Sequence, residues 1–230
     1  SVSVSPVLFS PLWEQATAPS PGQAVRAPAD LPRGSGAPSP GQATLLFVGR
    51  LSPNKCQQDL VGVLAGVVGL GVDARLVLVG GVSSSGFVDA VVGLAAGLGL
   101  SDRVVVAGSV SEGELVGLYE GADVFVSVSE HEGFCVPVVE ALGFGLPVVA
   151  FGAAAVPETL GGAGLLVGDK SVVAEAVVRV LSDPVVREGL VVRGRVRAAE
   201  LGLGVSRERM RATLQPLLGS VVAGGPGEHR

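Results

Sequence analysis

The sequence predicts a doubly wound α/β domain built around a parallel sheet. Short apolar runs at residues 45–48, 76–79, 104–106, 124–128, 148–151 and 165–167 are each bounded by glycine or polar residues. Their hydrophobicity is continuous rather than alternating, which suits strands covered on both faces. Between the runs lie stretches long enough for helices, at 57–70, 87–98, 112–120, 136–144 and 171–181. Strand and helix therefore alternate along the chain.

Taken in order, residues 1–42 carry prolines and glycines without period and read as a linker or interdomain connection, with Val7, Leu8, Phe9, Leu12 and Trp13 as its apolar anchors. Residues 43–218 form the expected Rossmann-like domain, and 219–230 a flexible tail. The helix at 57–70 is weak on propensity alone, because "DLVGVLAGVVGLGV" is built from Val and Gly, each costing up to about 1 kcal/mol against Ala. Tertiary burial has to hold it. Two later helix starts are better marked: Ser111 and Glu114 make an S-x-x-E capping box, and Asp183 is an N-cap before Pro184 at the first helical position. Seven arginines between Arg187 and Arg211, interleaved with glutamates, read as a solvated helical face.

Composition removes several function classes. The net charge of −5 and the presence of only two lysines argue against nucleic acid as a partner. The longest uncharged run, residues 141–157, is broken by Pro147 and falls short of a transmembrane span. Cys56 and Cys135 are far apart and lack a CxxC partner, which favours a reducing, cytoplasmic setting, with peripheral attachment to a membrane as its variant. Two histidines in all, one of them His229 in the tail, leave little material for a metal site, so no metal and no cofactor are expected. Neither G-x-G-x-x-G nor G-x-x-x-x-G-K-[ST] occurs, and no G-x-S-x-G elbow. The chain lacks the charged and apolar regions of a signal peptide, and its start at Ser rather than Met leaves both a fragment and a complete product open.

Two segments carry chemistry. "SEHEGFCVPVVEALGFGLPVV", from Ser129 to Val149, crosses a strand end, a tight loop and a helix start. In an open α/β sheet ligands bind outside the carboxyl ends of the strands, where helix N-termini offer free N–H groups. Gly133 permits close approach of the backbone. Glu132 and Glu140, the second about one turn into the helix, can face one cleft. A carboxylate accepts two hydroxyl hydrogen bonds, so this pair suits a polyol such as a ribose or a hexose. The second segment is "FVGRLSPNK", in which a strand ends at Gly49 and the loop brings Arg50 and Lys55. A forked guanidinium and a point-charge ammonium together suit a diphosphate without a metal.

Blander readings exist for each. Arg50 and Lys55 could be loop charges in surface pairs worth less than about 1 kcal/mol. Acidic residues in a first helical turn complement the helix dipole without any ligand. His131 reads as a loop histidine rather than a catalyst. Cys56 and Cys135 read as small apolar fillers.

The two segments, in this order and about eighty residues apart, resemble the family 4 retaining glycosyltransferases of the GT-B fold. That family carries G-R-x4-K after one strand, matched by Gly49, Arg50 and Lys55, and E-G-F followed by a second Glu, matched by Glu132, Gly133, Phe134 and Glu140. The flanks "ELVGLYEGADVFVSVSEHEGF" and "ALGFGLPVVAFGAAAVPETLGGAGLLV" continue the likeness, which covers residues 43–183.

The resemblance implies a C-terminal nucleotide-sugar-binding domain and the transfer of a hexose from a nucleoside diphosphate sugar with retention. Gly49, Arg50 and Lys55 would hold the donor diphosphate, and Glu140 the ribose. Glu132, the catalytic candidate, would face the transferred sugar. The amides of Gly133, Phe134, Cys135 and Val136 would contact sugar and phosphate, and the base would lie near Val110. The departing phosphate oxygen would help deprotonate the acceptor, so no covalent nucleophile is implied. The acceptor, a glycan, lipid or small molecule, would be held by an N-terminal domain in the same or another chain, and without it this chain is expected to be inactive. Cys56 departs from the glycine that many relatives carry after the lysine. Two other readings compete: a non-catalytic nucleotide-sugar-binding module or truncated product, and a nucleotide-sugar epimerase, which would not normally show "EGFCVPVVE".

Overall fold

The structure, a computed structural model, describes Ser39 and residues 41–202. The linker up to residue 38, the tail at 219–230 and Arg207, Arg209 and Arg211 lie outside the described residues. The strands β1 (Ala43–Val48), β2 (Ala74–Val79), β3 (Val104–Gly108), β4 (Val124–Ser127), β5 (Val148–Phe151) and β6 (Leu165–Val167) form one sheet in the order β3-β2-β1-β4-β5-β6. Every pairing is parallel. This is the doubly wound arrangement, with its change of direction between β1 and β4.

The helices are α1 (Gln57–Gly69), α2 (Ser85–Gly97), α3 (Glu112–Glu120), α4 (Val136–Gly143), α5 (Val156–Leu160), α6 (Val173–Ser182) and α7 (Pro184–Leu201). They bury the sheet on both faces, and the strands serve the two layers alternately. Leu45 and Phe47 of β1, with Leu76 and Leu78 of β2, enter a core shared with α1, α2 and α6. Leu46, Val77 and Val79 enter a second core shared with α3, α4 and α5. That double coverage is why the strand segments are apolar without alternation.

Burial holds α1, as its propensity requires. Three glycines and four valines in this helix cost roughly 5 kcal/mol relative to alanine. Leu60, Val61, Val63, Leu64 and Val67 are buried, each contributing roughly 1.5–3 kcal/mol. Gly66 is set by packing, since a Cβ there would lie 2.7 Å from the Cβ of Ala174 on α6.

Both marked helix starts are present. The Ser111 hydroxyl accepts from the Glu114 amide while the Glu114 carboxylate accepts from the Ser111 amide. At α7 the Asp183 carboxylate accepts from the amides of Val185 and Val186.

Three sequence readings need correction. The stretch at 171–181 opens as a 3-10 turn, Lys170–Val172, before α6 begins. Helix α5 was not anticipated: it has five residues, one of them Pro157, too few to show a period. The arginine face of α7 is only partly solvated. The Arg187 guanidinium donates to the carbonyl of Asp123 at 2.8 Å. That of Arg197 donates to the carbonyls of Glu158 at 2.7 Å and Thr159 at 3.0 Å. These last carbonyls end α5 and have no partner within that helix, so a side-chain donor satisfies them.

Candidate functional site

Because the sheet reverses direction between β1 and β4, the chains leaving these neighbouring strands depart to opposite faces and open a crevice at their carboxyl ends. Both chemistry-bearing segments start there. The first leaves β1 beside β2: the Gly49 amide donates to the carbonyl of Val79 at 2.9 Å, and the Leu51 amide to that of Gly81 at 2.9 Å. Backbones touch at this point. A Cβ on Gly80, whose φ is +138°, would lie 2.1 Å from the carbonyl oxygen of Gly49. Gln57, with no exposed surface, ties the loop from beneath. Its Nε2 donates to the carbonyl of Arg50 at 2.9 Å and its Oε1 accepts from the Ser52 amide at 3.3 Å. Sequence reasoning missed Gln57; its signal is an amide at the first position of an apolar helix. A single 3-10 turn, Pro53–Lys55, then delivers Lys55.

The second segment leaves β4 and is bound to the first. The Glu130 amide donates to the carbonyl of Asn54 at 3.3 Å. Lys55 Nζ lies 2.7 Å from Glu132 Oε1 and donates to the carbonyl of His131 at 3.1 Å. The side chains of Lys55 and Glu132 are 17% and 12% exposed, so the pair is shielded well beyond the surface pairs of the bland reading. Farther on, the carbonyl of Phe134 accepts from the hydroxyl of buried Thr159 at 2.8 Å. The amides of Gly133, Cys135 and Val136 donate to no group among the described residues. They stand at the N-terminal end of α4, where the helix dipole favours anionic and hydroxyl oxygens. A Cβ on Gly133 would meet nothing within 4 Å, so this side of the loop is open.

Backbone strain gathers at the same end of the sheet. The non-glycine residues with left-handed φ among the described residues are Cys56 (55°), Cys135 (56°) and Ala154 (49°). They follow β1, β4 and β5. Such conformations cost roughly 1–3 kcal/mol each and cluster at functional sites. At Cys56 the geometry accounts for the glycine expected after the lysine. Burial, with the charge of Glu132 beside it, pushes the Cys135 thiol up to about 12, which fits a filler rather than a thiolate.

Glu140 sits one turn into α4 and is 9% exposed. It meets Tyr119, whose hydroxyl donates to Glu140 Oε2 at 2.9 Å. Tyr119 in turn stacks on Phe144 at 5.1 Å. The two glutamates have different partners: Glu132 is paired with Lys55, Glu140 with Tyr119. Burial raises the Glu140 carboxyl above the ordinary 4.5, and the Tyr119 bond only partly offsets this. A raised folded value means stability from this group is present at low pH and is lost as pH rises through that value. The ionised carboxylate is the stronger acceptor for a polyol's hydroxyls. If Glu140 holds a ribose, as the resemblance implies, affinity for a nucleoside diphosphate sugar is expected to weaken as pH falls, and Glu140→Gln should remove that dependence. Calorimetric titration from pH 8 to pH 5 reads it.

The Arg50 side chain is exposed and its guanidinium has no partner among the described residues. Val110 lies between β3 and α3, partly buried against the second core. Lys170, noted in the sequence only as the other lysine, reaches Glu130 Oε1 at 2.8 Å and Asp59 Oδ2 at 2.7 Å. No three His, Cys, Asp or Glu side chains gather as metal ligands among the described residues. Nor is any helix there long and apolar enough to cross a membrane.

Residues 42–183 match the family described as Glycosyl transferases group 1. A D-inositol 3-phosphate glycosyltransferase of Actinosynnema mirum is 36% identical over 162 residues, 66% of this chain and 39% of that protein. The O-antigen chain mannosyltransferase B of Escherichia coli is 35% identical over 89 residues, 38% of this chain and 23% of its own. Among solved structures, sucrose-phosphate synthase from Thermosynechococcus elongatus superposes with a TM-score of 0.67 at 29% identity, over 77% of this chain and 46% of that one. Anabaena HepE, in complex with UDP and glucose, gives 0.68 at 23% identity, over 76% and 49%, a likeness of fold. This chain thus spans less than half the length of each of these proteins. With the parallel order of the sheet and both loop motifs in place, the chain belongs to the glycosyl transferases group 1 family and folds as the C-terminal domain of a family 4-like glycosyltransferase.

Proposed function

We propose that this domain binds a nucleoside diphosphate sugar across the crevice between β1 and β4 and presents it for transfer with retention of configuration. The observation that carries the reading is the junction of the two loops, in which Lys55 bridges to Glu132 at 2.7 Å with Arg50 exposed on the same loop. Arg50 and Lys55 hold the diphosphate, and the free amides at the start of α4 assist them. Lys55 already neutralises Glu132, so an incoming diphosphate shares the ammonium with that carboxylate. Glu132 is then turned to the hydroxyls of the transferred sugar, and Glu140 to the ribose. HepE has been crystallised with UDP-glucose, which supports a donor of this chemical class.

In the transfer step the bond between the anomeric carbon and the diphosphate oxygen breaks as the acceptor oxygen bonds to that carbon. The acceptor proton passes to the departing phosphate oxygen on the same face. Acceptor positioning belongs to an N-terminal domain, in the same or another chain. Without it the near-attack geometry, worth about 7–11 kcal/mol, is missing. The chain alone is therefore expected to bind donor and transfer no sugar.

Calorimetric titration with UDP, UDP-glucose, GDP and GDP-mannose, with and without a chelator, is the direct test. Binding that survives the chelator is expected, because cationic side chains and a helix terminus neutralise the phosphates. Strict dependence on magnesium or manganese would overturn that assignment, and the absence of binding to every probe would overturn the donor site. Robust transfer to an acceptor by this chain alone would refute the need for a second domain.

A further inference from the structure

We propose that Lys170 is a positioning residue of the donor site, clamping the loop after β4 from the side opposite Lys55. The inference rests on the donor-site reading above. The chain has two lysines, and each binds a different part of the stretch from Glu130 to Glu132. Lys55 takes Glu132 and the carbonyl of His131; Lys170 takes Glu130 at 2.8 Å. Sheet order explains the opposition, because β4 has β1 on one side and β5 then β6 on the other. Lys55 follows β1, and Lys170 follows β6. A second arm of Lys170 reaches Asp59 in the first turn of α1 at 2.7 Å, and its ammonium lies 5.5 Å from the centre of the Phe151 ring. One cation thus joins the loop after β4 to α1 and β5.

Such an arrangement does little for global stability. Asp59 and Glu130 are 48% and 56% exposed, and ion pairs that wet contribute modestly to folding. The effect is local. Without the ammonium, Asp59 and Glu130 face each other as like charges, and repulsion moves the loop that carries Glu132. Lys170→Ala should therefore perturb the loop more than Glu130→Gln, which keeps an acceptor, loses one charge and leaves no repulsion. Lys170→Arg keeps the charge and should restore most of the behaviour.

Two measurements on the full chain test this. Amide hydrogen exchange, which needs no ligand, is expected to be faster at residues 129–132 in Lys170→Ala and near wild type in Lys170→Arg. Calorimetric titration should find UDP-glucose or GDP-mannose bound roughly three- to tenfold more weakly by Lys170→Ala, and UDP or GDP less affected, because the displaced Glu132 serves the sugar. A merely structural lysine would lower the melting temperature without changing the ratio of the two affinities. Unchanged exchange overturns the clamp, and faster exchange with unchanged affinity overturns the positioning role. Should Lys170→Ala fail to fold, Glu130→Gln carries the same comparison with a smaller expected change. If the wild-type chain binds no probe, the donor-site reading fails, and the exchange result separates that failure from failure of the clamp.

Discussion

Replacing Arg50 and Lys55 together by alanine is expected to weaken nucleoside diphosphate binding by roughly 3–6 kcal/mol, two to four orders of magnitude, because each charge-assisted contact is worth about 1.5–3 kcal/mol. The two single variants should not be equal. Arg50 has no partner to abandon among the described residues, so Arg50→Ala removes one contact. Lys55→Ala also uncovers Glu132, only 12% exposed, and sets a bare carboxylate beside the incoming diphosphate. Like-charge repulsion in that shielded place adds to the loss. Adding Glu132→Gln to Lys55→Ala should recover part of it, although Glu132 itself contacts the donor. Calorimetric titration with UDP or GDP decides the matter. Unchanged affinity in both single variants would remove the diphosphate clamp from the account.

Gly80→Ala is expected to destabilise the domain by about 2–4 kcal/mol, the sum of a strained positive φ and an overlap that cannot relax. The obstruction is main chain: the new Cβ would sit 2.1 Å from the oxygen and 2.7 Å from the carbon of the Gly49 carbonyl. No rotamer change relieves that contact. The ends of β1 and β2 have to part, and the loop bearing Arg50 moves with them. For a domain of this size the melting temperature should fall by about 5–15 °C. Gly93→Ala is the control. It lies inside α2, a Cβ there meets nothing within 4 Å, and the helix should gain roughly 0.5–1 kcal/mol. Thermal denaturation followed by circular dichroism compares the two.

The backbone plan was legible because its signals are local. Strands covered on both faces leave runs such as Leu45 to Val48, and caps such as Ser111 and Asp183 announce helices within four residues. Strand ends were read short where Ala43, Thr44 and Arg75 extend them with residues that are small or polar. The site was legible as two lists of residues but not as a set of partners. Lys55 and Glu132 were assigned to separate parts of a ligand, yet 77 positions apart they bind each other in the folded chain. Tyr119 was overlooked because nothing near it in sequence marks it as the donor to Glu140, 21 residues on. Left-handed backbone is hidden at Cys135, which is not a glycine, whereas at Cys56 the departure from the expected glycine pointed to it. Lys170 went unread because its two carboxylates lie 40 and 111 positions away.

The order of the sheet also bears on how the chain is made. β1 pairs on one side with β2, which follows it closely, over six residues, and on the other with β4 through Leu45–Val124 and Leu46–Phe125. During synthesis β1, β2 and β3 emerge first and can assemble in order, while the far side of β1 waits for residues some eighty positions later. Until then a largely apolar strand shows an open edge, the kind of surface that recruits the wrong partner. The seam that closes this edge is the one over which the two loops meet, so a ligand bound there would tie together the last and narrowest pairing that β1 makes. Binding and the completion of folding would then be one event in a newly made chain, with the ligand acting as a late staple.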